Sequence, residues 1–115
     1  MKEGHVFIEI RVPFETYTLM ECYLGQYRSG YIMFTKHFLL DFLIRVNKQM
    51  PIHSVYEGED GKRVGMWIEP YLRQMIAQRA PGVGLEKFSY TALIHFLTKW
   101  QLEVASEKAM RREKR

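Results

Sequence analysis

The sequence predicts a mainly α-helical protein with two short strands, laid out as two copies of one strand-helix-helix unit within a single domain. Three observations carry that expectation. The first is an internal repeat. Phe34 to Asn47, laid without a gap over Phe88 to Gln101, is identical at Phe34/Phe88, Leu39/Leu93, Phe42/Phe96 and Leu43/Leu97, and conservative at Thr35/Ser89, Leu40/Ile94, Arg45/Lys99 and Asn47/Gln101. Four identities in 14 aligned positions are more than unrelated segments share, and a repeat decides architecture before any single element does. The second is that an alternating apolar segment precedes each helical half. The third is length: a chain of 115 residues buries roughly two-thirds of its unfolded surface in one core and is too short for two independent domains.

Val6 to Val12 reads Val-Phe-Ile-Glu-Ile-Arg-Val, which puts Ile8, Ile10 and Val12 on one face of a strand and Phe7, Glu9 and Arg11 on the other. Pro13 has no amide hydrogen to donate and ends the ladder. Tyr17, Met20, Leu24 and Tyr27, with Leu19 and Tyr23 alongside, then recur at helical spacing to about Arg28. Gly25 in that helix costs about 1 kcal/mol relative to alanine, which close packing would explain. Gly30 is a natural left-handed stop. Thr35 is placed to cap a second helix whose stripe is Phe38, Leu39, Phe42, Leu43 and Val46. Leu40 and Ile44 make its opposite side apolar too, which points to further burial under the linker or in self-association.

Lys48 to Gly61, with Pro51, Gly58, Gly61 and acidic residues between them, reads as a linker or turn. A local hairpin joining Val55-Tyr56 to Arg63-Val64 is the alternative for this stretch. Val64, Met66 and Ile68 alternate with Arg63, Gly65 and Trp67 in a second strand. Pro70 suits a first helical turn. Leu72, Met75, Ile76 and Arg79 follow at helical spacing, and Pro81-Gly82 ends the run. Ser89 then caps a last helix with Ala92, Leu93, Phe96, Leu97 and Trp100 inward. The units span about residues 5–48 and 62–104, with 105–115 as a basic tail. Ile8 precedes Phe34 by 26 residues and Val64 precedes Phe88 by 24, so the order is kept.

Composition excludes several function classes. No apolar run approaches the roughly 18 residues of a membrane span, and the polar start Met1-Lys2-Glu3-Gly4-His5 lacks the apolar segment of a signal peptide. A single cysteine, Cys22, excludes an internal disulfide and fits a reducing cytoplasm. There is no Gly-rich phosphate loop, nucleophile motif or arguable carboxylate pair, so neither catalysis nor a cofactor is expected. His5, His37, His53 and His95 do not stand at close ligand spacing with one another or with Cys22, and they read as surface histidines rather than a metal site. The stripe Phe38, Phe42, Phe88, Phe96 and Trp100 has the spacing of a core, not of a base-stacking platform. The net charge of +4 favours a polyanionic partner, although part of it sits in the tail from Lys108 to Arg115.

Taken together, Ile8-Glu9-Ile10-Arg11-Val12-Pro13, then Ser29-Gly30, then Thr35-Lys36-His37-Phe38-Leu39 resembles the ribbon-helix-helix family of DNA-binding proteins over nearly the whole first half. The second half departs from that pattern, since Glu69-Pro70 moves the proline one place and Pro81-Gly82-Val83-Gly84 replaces the usual turn. The resemblance implies that the two strands pair into an antiparallel ribbon, making the chain a tandem ribbon-helix-helix pseudo-dimer similar to plasmid-transfer relaxosome accessory proteins. It further implies that the ribbon enters the major groove of duplex DNA, and that unequal halves read a non-palindromic site.

On that expectation Phe7, Glu9, Arg11, Arg63, Gly65 and Trp67 face the bases: arginine toward guanine, Glu9 toward cytosine N4, Phe7 toward a thymine methyl. Thr35, Lys36, Ser89 and Tyr90, at the starts of the second helices, become the phosphate contacts. The function implied is a transcriptional regulator or a plasmid or phage accessory factor. The alternative is a protein-interaction module, antitoxin- or inhibitor-like, using the ribbon and an apolar helix face. Phe7, Gly65 and Trp67 hydrogen-bond poorly and Glu9 repels phosphate, which favours that alternative.

Overall fold

The computed structural model describes residues 4–45 and 51–113. Its elements are β1 (Val6–Val12), α1 (Phe14–Tyr27), α2 (Tyr31–Arg45), β2 (Lys62–Ile68), α3 (Pro70–Arg79) and α4 (Leu85–Glu113). Among the described residues the fold is therefore mainly helical, four helices with one two-stranded antiparallel sheet, and the order strand, helix, helix occurs twice.

The strands pair with each other rather than locally. Val6 lies opposite Ile68, Glu9 opposite Gly65 at the centre, and Val12 opposite Lys62. Arg63 and Val64 face Arg11 and Ile10, which removes the local hairpin with Val55-Tyr56. Alternation then does what the period of two dictates: Ile8, Ile10, Val12, Val64, Met66 and Ile68 are all buried on one face. Two strands alone are marginal in water, so it is the helices covering this face that make the ribbon stable.

Pro13, with φ −59°, leads into α1, which turns Met20 and Leu24 inward. Its stop falls earlier than Gly30. Arg28 takes the left-handed conformation with φ 50°, and its amide together with that of Ser29 donates to the Leu24 carbonyl, so the turn is already closed. Gly25 gains no packing: beyond its chain neighbours and the backbone of its own helix, no described atom lies within 4 Å of where a Cβ would stand.

Both second helices begin one turn before the expected caps. The Gly30 carbonyl accepts the Phe34 amide and the Gly84 carbonyl accepts the Phe88 amide, so Thr35 and Ser89 fall inside α2 and α4. Most of each stripe is as expected, but Phe96 and Trp100 of α4, expected inward, are only half-buried. Phe34, Phe38, Leu39, Phe42 and Leu43 of α2 and Phe88, Ala92, Leu93 and Leu97 of α4 are buried. Val46, expected on the same stripe, lies outside the described residues. The repeated helices are the two that pack together: the rings of Phe42 and Phe88 meet edge to face at 5.2 Å, and those of Phe34 and Phe96 at 5.8 Å.

α3 starts on Pro70, buries Leu72 and Ile76, and gives way to Gly82 at φ +82°. α4 is 29 residues long, and it carries the expected basic tail as helix to Glu113. Among the described residues no helix is long and apolar enough to cross a membrane.

Candidate nucleic-acid interface

Pairing and register bring the six expected ribbon residues to one face, but they do not present them equally. Phe7 and Trp67 stand opposite each other, 50% and 39% exposed, with ring centroids 5.0 Å apart. Gly65 explains how Phe7 leans across the ribbon. A Cβ there would stand 2.6 Å from the edge of the Phe7 ring, so the missing side chain makes the space.

At the other end Arg11 and Arg63 are directly opposed. Like charges in that relation repel, and each arginine finds its own acceptor. Arg11 is half-buried and donates to the Gly58 carbonyl at 2.8 Å, while Arg63, with 75% of its side chain exposed, reaches Glu9 at 3.6 Å. Arg11 is thus corrected from a free reader to an anchor for the loop Glu57-Gly58-Glu59-Asp60. Tyr56 donates to Asp60 in the same loop, and that hydrogen bond raises its phenol pKa.

The phosphate contacts need a larger correction. Thr35 is buried and donates to the Tyr31 carbonyl at 2.9 Å, as a mid-helix threonine does. Ser89 is fully buried, and its hydroxyl has no hydrogen-bond partner among the described residues. Tyr90 is buried as well, and that desolvation raises its pKa. Only Lys36 remains accessible. It pairs with Glu69 at 2.9 Å, and this hydrogen bond and charge raise its pKa.

Among the described residues, the amides left without a helical partner by the earlier starts belong to Tyr31, Ile32 and Met33 in α2 and to Leu85, Glu86 and Lys87 in α4. Tyr31 lines a cleft with Tyr17, Met20, Arg63, Val64 and Gly65, which sets the start of α2 beside β2. Its hydroxyl donates to Glu21 at 2.6 Å, and this bond pushes the phenol pKa well above its ordinary value. The α2 first turn has no acidic residue, whereas α4 carries Glu86 in its own. The sequence held a signal for these starts: Gly30 and Gly84 each precede the repeated phenylalanine by the same four positions.

Away from the ribbon, a groove between α2 and α4 holds Asp41, which accepts from Lys99 at 3.0 Å and pairs with Arg45 at 3.5 Å. His95 lines the same groove but is not a surface histidine. Its ring lies 5.1 Å from Phe42 and 5.9 Å from His53, Nε2 is buried without a partner among the described residues, and burial followed by the charge of His53 lowers its pKa. His53 is brought there by its backbone amide, which donates to the Thr91 hydroxyl at 2.9 Å. His5 likewise has a buried, unpartnered Nδ1, whereas His37 is exposed. Among the described residues no group of three His, Cys, Asp or Glu side chains is arranged to hold a metal ion.

A comparison with protein-family models returns no match, and neither do comparisons with curated proteins and with solved structures.

Proposed function

We propose that the chain is a fused pseudo-dimer of ribbon-helix-helix type that binds duplex DNA without catalysis, as a transcriptional regulator or a plasmid or phage accessory factor. The observation that carries this reading is the register of β1 against β2, which makes one ribbon face core and turns the other outward, with Arg11 alone half-buried at the Gly58 loop. A two-stranded ribbon fits the major groove, which is about 12 Å wide. Arg63 is the side chain best presented to guanine, and Phe7 and Trp67 offer apolar surface to thymine methyls. The free amides at the start of α2, beside β2, suit a backbone phosphate.

The test is fluorescence anisotropy on a pool of random duplexes over a range of salt. Phosphate neutralisation releases counterions, so the logarithm of affinity should fall linearly with that of salt concentration. Absence of any salt-dependent affinity for duplex DNA would overturn the reading.

One observation favours the second reading, a protein-interaction module. Phe7 and Trp67 on the ribbon and Tyr31, Ile32 and Met33 on the adjoining helix start are all exposed large apolar residues. Salt-insensitive binding to a protein, with none to DNA, would decide for it.

A further inference from the structure

The exposed face of β1 reads Phe7, Glu9, Arg11 and that of β2 reads Arg63, Gly65, Trp67. In chain order one strand runs from aromatic to basic and the other from basic to aromatic. Antiparallel pairing reverses the second strand, so Phe7 meets Trp67 and Arg11 meets Arg63. Had both strands run in the same chemical order, each end of the ribbon would carry one aromatic and one arginine. Here both aromatics gather at one end and both arginines at the other, separated at the centre by Glu9 and Gly65.

The two ends also differ in how they can recognise a base. The aromatic end is a tilted pair of rings 5.0 Å apart, and Trp67 and Phe7 both keep exposed surface. In the major groove the apolar feature such a surface can meet is the C5-methyl of thymine. The basic end has one extended guanidinium, Arg63, steadied by Glu9 at 3.6 Å, while Arg11 is held at the Gly58 carbonyl. A guanidinium in the major groove pairs with guanine O6 and N7. Four residue steps along the strand separate the two ends, about 13 Å at roughly 3.3 Å per step, close to four base-pair steps of about 3.4 Å.

Resting on the proposed DNA-binding function, we infer that the ribbon recognises a site with a fixed chemical direction. One half carries thymine methyls read by Phe7 and Trp67, and the other, roughly four base pairs away, carries a guanine read by Arg63. The two halves of the site are not interchangeable, and the protein binds it in one orientation.

The experiment selects duplexes from a randomised pool with the full chain, then modifies the enriched duplex one base at a time. Replacing dT by dU removes only the methyl, and replacing dG by 7-deaza-dG removes only the N7 acceptor. Loss of a methyl should weaken binding several-fold in one half alone, and the double variant Phe7→Ser, Trp67→Ser should no longer notice it. Loss of N7 should weaken binding about tenfold in the other half alone, consistent with a bidentate pair, and Arg63→Ala should no longer notice that. Methyl sensitivity divided equally between the halves, or persisting when both Phe7 and Trp67 are changed to serine, overturns the inference. An enriched duplex indifferent to methyl removal overturns it while leaving DNA binding intact. Failure to enrich any duplex, with no salt-dependent affinity, overturns both. The modified-DNA arm uses the unaltered protein, so it stands whether or not a variant folds.

Discussion

Ser89 is a hydroxyl sealed inside α4 with no hydrogen-bond partner among the described residues. Leaving such a group unpaired costs about 1–3 kcal/mol, and an apolar replacement of similar shape removes that cost. The Ser89→Ala change should therefore be neutral or stabilising in urea denaturation, where loss of a helix cap would cost about 1 kcal/mol. On the proposed DNA-binding function it should also leave any DNA affinity unchanged, because the buried Ser89 hydroxyl cannot reach a phosphate.

His95 makes the second residue-scale prediction. Its folded pKa lies below the ordinary value of 6.5, so between those two values the unfolded chain binds more protons and stability rises with pH. Stability present above the unfolded value should be lost as pH falls from about 6.5 toward the lower folded value. The fall in melting temperature across this window should be smaller in His95→Phe than in the parent chain. Equal profiles would show that His95 does not titrate as its surroundings require. The periodicity of α4 reveals neither feature. Helical phase tells which side a residue takes, but the segment bringing His53 over His95 arrives from another part of the chain.

At the scale of elements, the repeated helices are the pair that closes the core, and their aromatic contacts should be measurably coupled. Phe42→Ala or Phe88→Ala alone should cost about 3–5 kcal/mol. The rings meet at 5.2 Å, so the double variant should cost less than the sum by more than about 0.5 kcal/mol, as residues in contact do. Additive losses in chemical denaturation would argue against the α2–α4 packing. The inner stripes were legible because four or five buried residues per helix recur at one spacing, and no single exception obscures them. The helix starts were not. A threonine or serine before an apolar run has the chemistry of a cap wherever it lies, and only the carbonyls of Gly30 and Gly84 decide that each helix begins a turn sooner.

For the whole molecule, the last buried residue of α4 is Leu97, and from Gln101 to Arg112 all but Val104 are exposed. A chain ending at Ala105 should lose helical circular dichroism but keep its melting temperature, since no buried apolar contact is removed. A large fall in that temperature would mean that the projecting turns are covered by something, a second copy of the chain being the simplest candidate. Ile44, 80% exposed on α2, is likewise left uncovered in a single chain, whereas Leu40 beside it is half-buried.

The sequence by itself determined the two strands with their inner and outer faces, the four helices, and the buried stripes of the repeat. These follow from periods of two and 3.6 that any short stretch displays without reference to the rest of the chain. Tertiary structure decided what lies opposite what. The register joining Val6 to Ile68 links residues far apart in the chain, and no local period encodes such a partner. That register gathers the aromatics at one end of the ribbon and the arginines at the other. Contacts from outside the strands then turn Arg11 toward Gly58 and leave Arg63 as the arginine that faces outward.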